Sequence, residues 1–143
     1  LELLQEHVRM LHRDRAPVTL SVRRANLVED VLEALGGKKE GEILSHPLRV
    51  RFLGEDGVDA GGGLTSELYT AFFEGVLGTS MFEGSAGAEG GGAHLLPAAG
   101  CDRLDELAAI GRLIGQSIID RRPLPPIFCP SLFRYLLGVA PVV

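Results

Sequence analysis

Apolar residues recur at helical spacing at the start of the chain and then change to strict alternation. In residues 1–11 a leucine or valine occurs at every third or fourth position, with polar residues between, which predicts an amphipathic helix. Pro17 marks the limit of that helix, and residues 18–22 alternate between apolar and polar side chains. We therefore expect a helix followed by a short, half-buried strand.

A second helix and a second strand are predicted further along. Asn26 can cap the helix with Glu29 as its capping-box partner, and Gly36-Gly37 should end it. Residues 38–47 are polar and contain glycine, which is typical of a loop. Alternation returns in residues 48–53, where we expect a strand.

The middle of the chain predicts a glycine-rich turn that leads into a long helix. Residues 54–63 are rich in turn formers, and the helix should run from about Leu64 to Leu77. Its apolar stripe is expected to contain Leu68, Tyr69, Phe72, Phe73, Val76 and Leu77. Residues 84–100 are rich in glycine and alanine, and we predict a flexible loop there because such composition provides little core.

Two helices are predicted in the last third. The first should be capped by Asp102 with Asp105 in its first turn, and should end before Pro123. Its expected buried stripe is Leu104, Leu107, Ala108, Gly111, Ile114, Gly115 and Ile118. The second should begin at Pro130 and stop at Gly138. The whole pattern indicates an α+β fold, mainly helical, that forms one domain or part of a larger one.

Composition and charge exclude several classes of function. A formal net charge of -5 argues against non-specific nucleic-acid binding, which requires a basic surface. No uncharged stretch approaches the roughly 20 residues that a membrane-spanning helix needs. Cys101 and Cys129 are far apart and form no CxxC pair, so we expect a reducing compartment, the cytoplasm or the nucleus.

The residue patterns predict no cofactor and no metal site. The four histidines never lie four residues apart on one helix, and a calcium loop starting at Asp56 fails because Val58 would be its third-position ligand. Gly61-Gly62-Gly63 precedes a helix but lacks the other residues of a phosphate-binding loop, so a tight turn with positive φ is favoured. We expect Asp59 and Glu67 to be structural, fixing that turn to the following helix.

Neither cysteine is predicted to be catalytic. Cys129 lies in an apolar stretch, so we expect it to be buried with a raised thiol pKa. Cys101 precedes a helix, but Asp102 and Asp105 oppose formation of its thiolate. No histidine lies near either cysteine in the sequence to act as a base.

Several segments, in the same order and spacing, resemble the HECT domain of ubiquitin ligases. They are Val22–Arg24 with Asn26–Asp30, Arg51–Gly62 followed by Leu64, Glu67 and Tyr69, Met81–Glu83, Ile110–Gly115 with Asp120 and Arg122–Pro125, and finally Phe128, Phe133 and Leu136–Gly138. The resemblance covers residues 18–138. It implies that the chain is the first part of the N-terminal lobe of such a domain, with the fold of its large subdomain.

The resemblance also implies the activity of the full-length protein. Such ligases accept ubiquitin from a conjugating enzyme (E2) as a cysteine thioester and transfer it to substrate lysines. The family's catalytic cysteine lies in a lobe that would follow this chain, and the E2 docks on a subdomain that would also follow it, so this segment should be a scaffold that is inactive alone. Gly84 replaces an aromatic that contacts ubiquitin in many relatives. The alternative is a HECT-like lobe that acts as a non-catalytic protein-interaction scaffold.

Overall fold

The computed structural model describes residues 2–36, 46–59, 61–85 and 94–139. Within these ranges the elements are α1 (Glu2–His12), β1 (Val18–Val22), α2 (Leu27–Gly36), β2 (Leu48–Phe52), α3 (Gly63–Val76), β3 (Phe82–Ser85), β4 (His94–Pro97), α4 (Leu104–Ile119) and α5 (Pro130–Leu136). Helical residues outnumber strand residues, in agreement with the predicted α+β class. No helix in the described ranges is long and apolar enough to cross a membrane.

Strands β1 and β2 form a parallel pair whose inner face is apolar. They pair in register from Val18 with Leu48 to Val22 with Phe52, and every second side chain points to the same face because strand residues alternate. Leu20, Val22, Val50 and Phe52 are all buried. Helix α2 packs against β1, while α3 packs against both β2 and α2.

The core is centred on three consecutive turns of α3. Leu68, Tyr69, Phe72, Phe73 and Val76 are fully buried, as the apolar stripe predicted. The Phe73 ring also meets the Phe128 ring edge-on, with 5.9 Å between centroids, which connects α3 to the segment before α5. Leu77 lies at the C-cap with 44% of its surface exposed, so its predicted place in the stripe is wrong.

Two predicted helix caps are wrong. Asn26 lies in a 3-10 turn, Arg24–Asn26, rather than in an extended cap position. The turn is held instead by Asp30, whose carboxylate accepts hydrogen bonds from the backbone N–H of Arg23 (2.7 Å) and from its guanidinium. Helix α4 begins at Leu104, and its N-cap is Arg103 rather than Asp102.

The buried face of α4 differs from the predicted stripe. Ala109, Ile110, Leu113, Ile114, Gln116 and Ser117 are buried. Of the seven residues predicted for the stripe, only Ile114 is buried, and Leu107 and Gly115 are half-buried. The other four are exposed, so the predicted stripe is wrong at Leu104, Ala108, Gly111 and Ile118. Gln116 and Ser117 were not in the predicted stripe, yet both are buried. Gln116 Nε2 donates to Asp120 Oδ1, and the Ser117 hydroxyl donates to the Ile114 carbonyl.

The predicted flexible loop over 84–100 overlaps the end of strand β3 and contains strand β4. Strands β3 and β4 pair antiparallel from Phe82 with Pro97 to Ser85 with His94. Leu95 is buried and pairs on its other side with the segment before α5, because its N–H donates to Ile127 O and its carbonyl accepts from Cys129 N–H, both at 2.9 Å. The loop prediction is therefore wrong for Gly84, Ser85 and His94–Pro97. Residues 86–93 lie outside the described ranges, as do the predicted loop residues 38–45.

Candidate functional site

The turn after β2 is fixed to α3 by one carboxylate. Asp59 Oδ1 accepts the Leu64 N–H at 3.1 Å, and Oδ2 accepts the Val50 N–H at 3.4 Å and the hydroxyl of Thr65. Thr65 is buried, so this carboxylate satisfies a hydroxyl that would otherwise lack a partner. The predicted structural role of Asp59 is confirmed: it joins strand β2 to the first turn of α3.

A second polar group connects α3 to the 3-10 turn. The Arg24 guanidinium donates to both oxygens of Glu55, with Nη2 3.0 Å from Oε2, and it also donates to Glu67. Its central carbon lies 4.0 Å from the centroid of the Phe52 ring. The hydrogen bonds from Arg24 lower the pKa of Glu55. Glu67 is thus structural, but it is fixed to the 3-10 turn and not, as predicted, to the glycine turn.

The glycine turn makes room for an arginine from the far end of the chain. Gly62 has a φ of 72°, and a Cβ there would overlap Nη2 of Arg122 and lie 3.0 Å from its Cζ. Arg122 Nη1 donates to Ser66 Oγ at 2.7 Å, and Ser66 Oγ donates to the Gly62 carbonyl at 3.0 Å. The prediction of positive φ and close approach is therefore confirmed at Gly62, and the approaching group is the Arg122 guanidinium.

A buried polar cluster joins α3 to the end of α4. Tyr69 donates its hydroxyl to Asp120 Oδ2 and Gln116 donates Nε2 to Asp120 Oδ1, both at 3.0 Å. Burial raises the pKa of Asp120, although these hydrogen bonds and the nearby charges of His12 and Arg122 act in the opposite direction. Burial, with the Asp120 charge, also raises the pKa of Tyr69, which keeps its hydroxyl a donor.

Sequence reasoning missed this cluster because the predicted stripe of α4 was built from apolar and small residues alone and left Gln116 out. The signal that could have found it is a glutamine followed four residues later by an aspartate, since such a pair meets on one face of a helix. Gln116 Oε1 is buried without a hydrogen-bond partner among the described residues. A cavity of about 230 Å³ lies beside the cluster, lined in part by Asp120, Arg122, Asp59 and Arg49.

Both cysteines are half-exposed free thiols. The prediction of a buried Cys129 with a raised pKa is wrong, because the backbone N–H and the side chain of Ser131 donate hydrogen bonds to it and lower its pKa. Cys129 occupies the N-cap of α5, so its apolar neighbours in the sequence point elsewhere. In the part of the chain that the structure describes, no group of three or more His, Cys, Asp or Glu side chains could hold a metal ion.

The structure brings together two segments that are about fifty residues apart in the sequence. Gly62 and Tyr69 come from the glycine turn and α3, whereas Asp120 and Arg122 follow α4. Tyr69 bonds Asp120, and Arg122 fills the space that Gly62 leaves. We call these four residues, with Ser66 and Gln116, the junction. Its groups are held by mutual hydrogen bonds, which is the arrangement of a rigid structural connection.

The chain is similar in sequence to several E3 ubiquitin-protein ligases. It is 31% identical over 130 residues to the E3 ubiquitin-protein ligase TOM1-like of Neurospora crassa, and 30% identical over 130 residues to UPL1 of Arabidopsis thaliana. It is 26% identical over 128 residues to NEDD4 of Rattus norvegicus. These matches cover 85%, 86% and 82% of this chain respectively.

The matches cover a small part of each relative. The chain spans 3% of the TOM1-like protein and of UPL1, and 14% of NEDD4. No protein-family model matches the chain. The sequence similarity therefore identifies this chain as a region related to the HECT-type E3 ubiquitin ligases.

Proposed function

We propose that the chain is the scaffold part of the N-terminal lobe of a HECT-type ubiquitin ligase, with residues 18–138 forming the beginning of its large subdomain. In the full-length protein, that ligase accepts ubiquitin from an E2 as a cysteine thioester and transfers it to substrate lysines. The observation that carries the proposal is the junction. The two segments that most resemble the family, 51–62 with the start of α3 and 110–125, are bonded to each other through Tyr69 and Asp120.

The junction supports a scaffold role for physical reasons. Its side chains are hydrogen-bonded to one another and partly or fully buried. They therefore fix the angle between α3 and α4 and are not free to bind a substrate. Transfer through a thioester is nucleophilic catalysis in two steps and needs an accessible thiolate beside the docked E2. We place that cysteine, and the E2-docking subdomain, C-terminal to this chain. The E2 and ubiquitin are then partners of the complete domain, in the cytoplasm or the nucleus.

Cys129 is the thiol that a test must exclude, because the hydrogen bonds from Ser131 favour its thiolate. The chain is incubated with activating enzyme, a panel of E2 enzymes, ubiquitin and ATP, and the products are separated with and without reductant. We expect no reductant-sensitive adduct. An adduct that disappears in Cys129→Ser or Cys101→Ser would overturn the scaffold assignment. Lys38 and Lys39 could still be modified by another ligase, but an isopeptide bond survives reductant.

A further inference from the structure

A groove runs along helix α2 beside the end of α3. Two cavities of about 320 Å³ each lie along it, and they share Val28, Glu29 and Thr79, so they are parts of one surface feature. Leu32 and Glu33 continue the groove toward the start of α4. We call the surface formed by these five residues the α2 groove.

Helix α2 presents two parallel rows of side chains to this groove. Val28 and Leu32 lie one helical turn apart and form an apolar row, and Glu29 and Glu33 form an acidic row beside it. Leu32 is buried and Val28 is half-buried, whereas both glutamates are exposed. Helix α3 closely contacts the apolar row, because a Cβ at Gly75 would lie only 2.6 Å from Val28 Cγ2. The groove therefore has a fixed apolar floor with carboxylates along one rim.

The wall of the cavity at the α4 end carries an excess of negative charge. It contains the three carboxylates of Glu29, Glu33 and Glu106 and a single guanidinium, that of Arg103, which pairs with Glu106. Among the residues that the structure describes, Glu29 and Glu33 accept no hydrogen bond and form no ion pair. Two carboxylates of the rim are thus left without a bonded cation.

The charged groups around the groove do not reverse this excess. The hydrogen bond and charge of Asp30, and more weakly the charge of Glu33, raise the pKa of Arg23, but Arg23 and Asp30 together add no net charge. At the α3 end, Arg24 lies between two carboxylates. One further guanidinium, that of Arg112, reaches the last turn of α2. Carboxylates still outnumber guanidiniums by two when all these groups are counted as charged, so the groove favours a cationic partner.

An acidic rim beside an apolar floor suits a long basic side chain. Lysine and arginine combine a stem of methylene groups with a cationic head, so the stem can cover Val28 and Leu32 while the head reaches the carboxylates. A wholly apolar side chain would instead desolvate carboxylates without pairing them. We propose that the α2 groove binds the basic side chains of a partner protein segment. This binding role is separate from the proposed scaffold function.

The probe is an eight-residue peptide of glycine and serine with two central arginines. It is titrated into the isotope-labelled chain, and the amide resonances are followed by two-dimensional nuclear magnetic resonance. We expect saturable shifts concentrated on the amides of the α2 groove, with an affinity that falls as salt is added. Shifts spread evenly over the chain, or no shifts at millimolar peptide, would overturn the proposal.

Two control peptides separate the charge of the head from the contact of the stem. Citrulline in place of arginine keeps the shape and removes the charge, and should bind about fivefold more weakly. A shorter arginine analogue, whose guanidinium is carried on a single methylene, keeps the charge and should bind about threefold more weakly because it covers less of the floor. If either control peptide bound as tightly as the arginine peptide, the proposed fit would be wrong.

Matched variants separate the α2 groove from the overall charge of the chain. Glu29→Gln with Glu33→Gln should weaken binding of the arginine peptide about fivefold, as expected for two exposed ion pairs. Glu2→Gln with Glu6→Gln changes an exposed pair of the same spacing on α1 and should leave the affinity unchanged within about twofold. The same spectra report whether each variant is folded. An equal loss in the two pairs would show non-specific attraction and overturn the proposal.

Discussion

Substitution of Gly62 by alanine should be destabilising for two separable reasons. The left-handed backbone, with φ at 72°, costs an alanine about 1–2 kcal/mol. The new Cβ would also overlap the Arg122 guanidinium, which must leave its hydrogen bond to Ser66, and that loss adds about 0.5–1.5 kcal/mol. We therefore expect Gly62→Ala to lower the free energy of unfolding by about 1.5–3.5 kcal/mol.

A double-mutant cycle with Arg122→Ala isolates the second contribution. In the Arg122→Ala background only the backbone strain remains, so Gly62→Ala should cost about 0.5–1.5 kcal/mol less there. Urea unfolding followed by far-ultraviolet circular dichroism provides the four free energies. Gly54 is the matched control, because its φ is 86° but a Cβ there meets no atom within 4 Å.

Gly54→Ala should show backbone strain alone and no coupling to Arg122. The reasoning would be refuted if Gly62→Ala cost the same in both backgrounds, or if Gly54→Ala coupled to Arg122 as strongly. Either result would mean that Arg122 does not occupy the space beside Gly62, and that the two segments of the junction are not joined there.

Three further predictions concern the core, an ion pair and the hairpin. Leu113→Ala should lower the free energy of unfolding by about 2–5 kcal/mol, whereas Ile118→Ala, at a half-exposed position, should lower it by less than about 1 kcal/mol. Equal losses in urea unfolding would contradict the observed buried face of α4. The hydrogen bonds from Arg23 lower the pKa of Asp30 from 3.8 to about 2. Asp30→Asn should therefore reduce the free energy of unfolding at pH 7, and the difference from the unsubstituted protein should fade as the pH drops from 4 to 2. A difference in unfolding free energy that does not change with pH would contradict this role of Asp30. Gly84→Ala should separate β3 from β4, because a Cβ would overlap the His94 carbonyl oxygen, and unchanged cross-strand nuclear Overhauser contacts would refute this.

Sequence patterns predicted the elements well where one face is clearly apolar. Strands β1 and β2 alternate cleanly, and the large aromatic residues of α3 leave a single choice of buried face. The buried face of helix α4 was harder to predict because alanine, glycine and isoleucine are spread around the helix. Its buried face includes Gln116, which donates to Asp120, and Ser117, whose hydroxyl donates to the Ile114 carbonyl at 2.7 Å. Such local hydrogen bonds allow polar residues into a core, and a pattern of apolar and polar positions does not show them.

The hairpin and the junction depend on partners that are distant in the sequence. Residues 84–100 provide few large side chains, but Leu95 is held between β3 and the segment before α5 by backbone hydrogen bonds, which are nearly independent of composition. The glycine run could be identified as a tight turn from the sequence alone. Only the structure shows that the Arg122 guanidinium occupies the space beside Gly62 and that Tyr69 donates a hydrogen bond to Asp120.

The most direct test of the scaffold assignment uses the full-length protein with Cys101→Ser and Cys129→Ser combined. It is charged with ubiquitin by activating enzyme and E2, and the reductant-sensitive adduct is compared with that of the unsubstituted protein. We predict an adduct in both proteins at equal yield, because the proposed function places the thioester on a cysteine outside this chain. Loss of the adduct in a variant that remains folded would place the catalytic thiol within this chain. Absence of any thioester in the unsubstituted protein would contradict the ligase assignment itself and favour a non-catalytic scaffold.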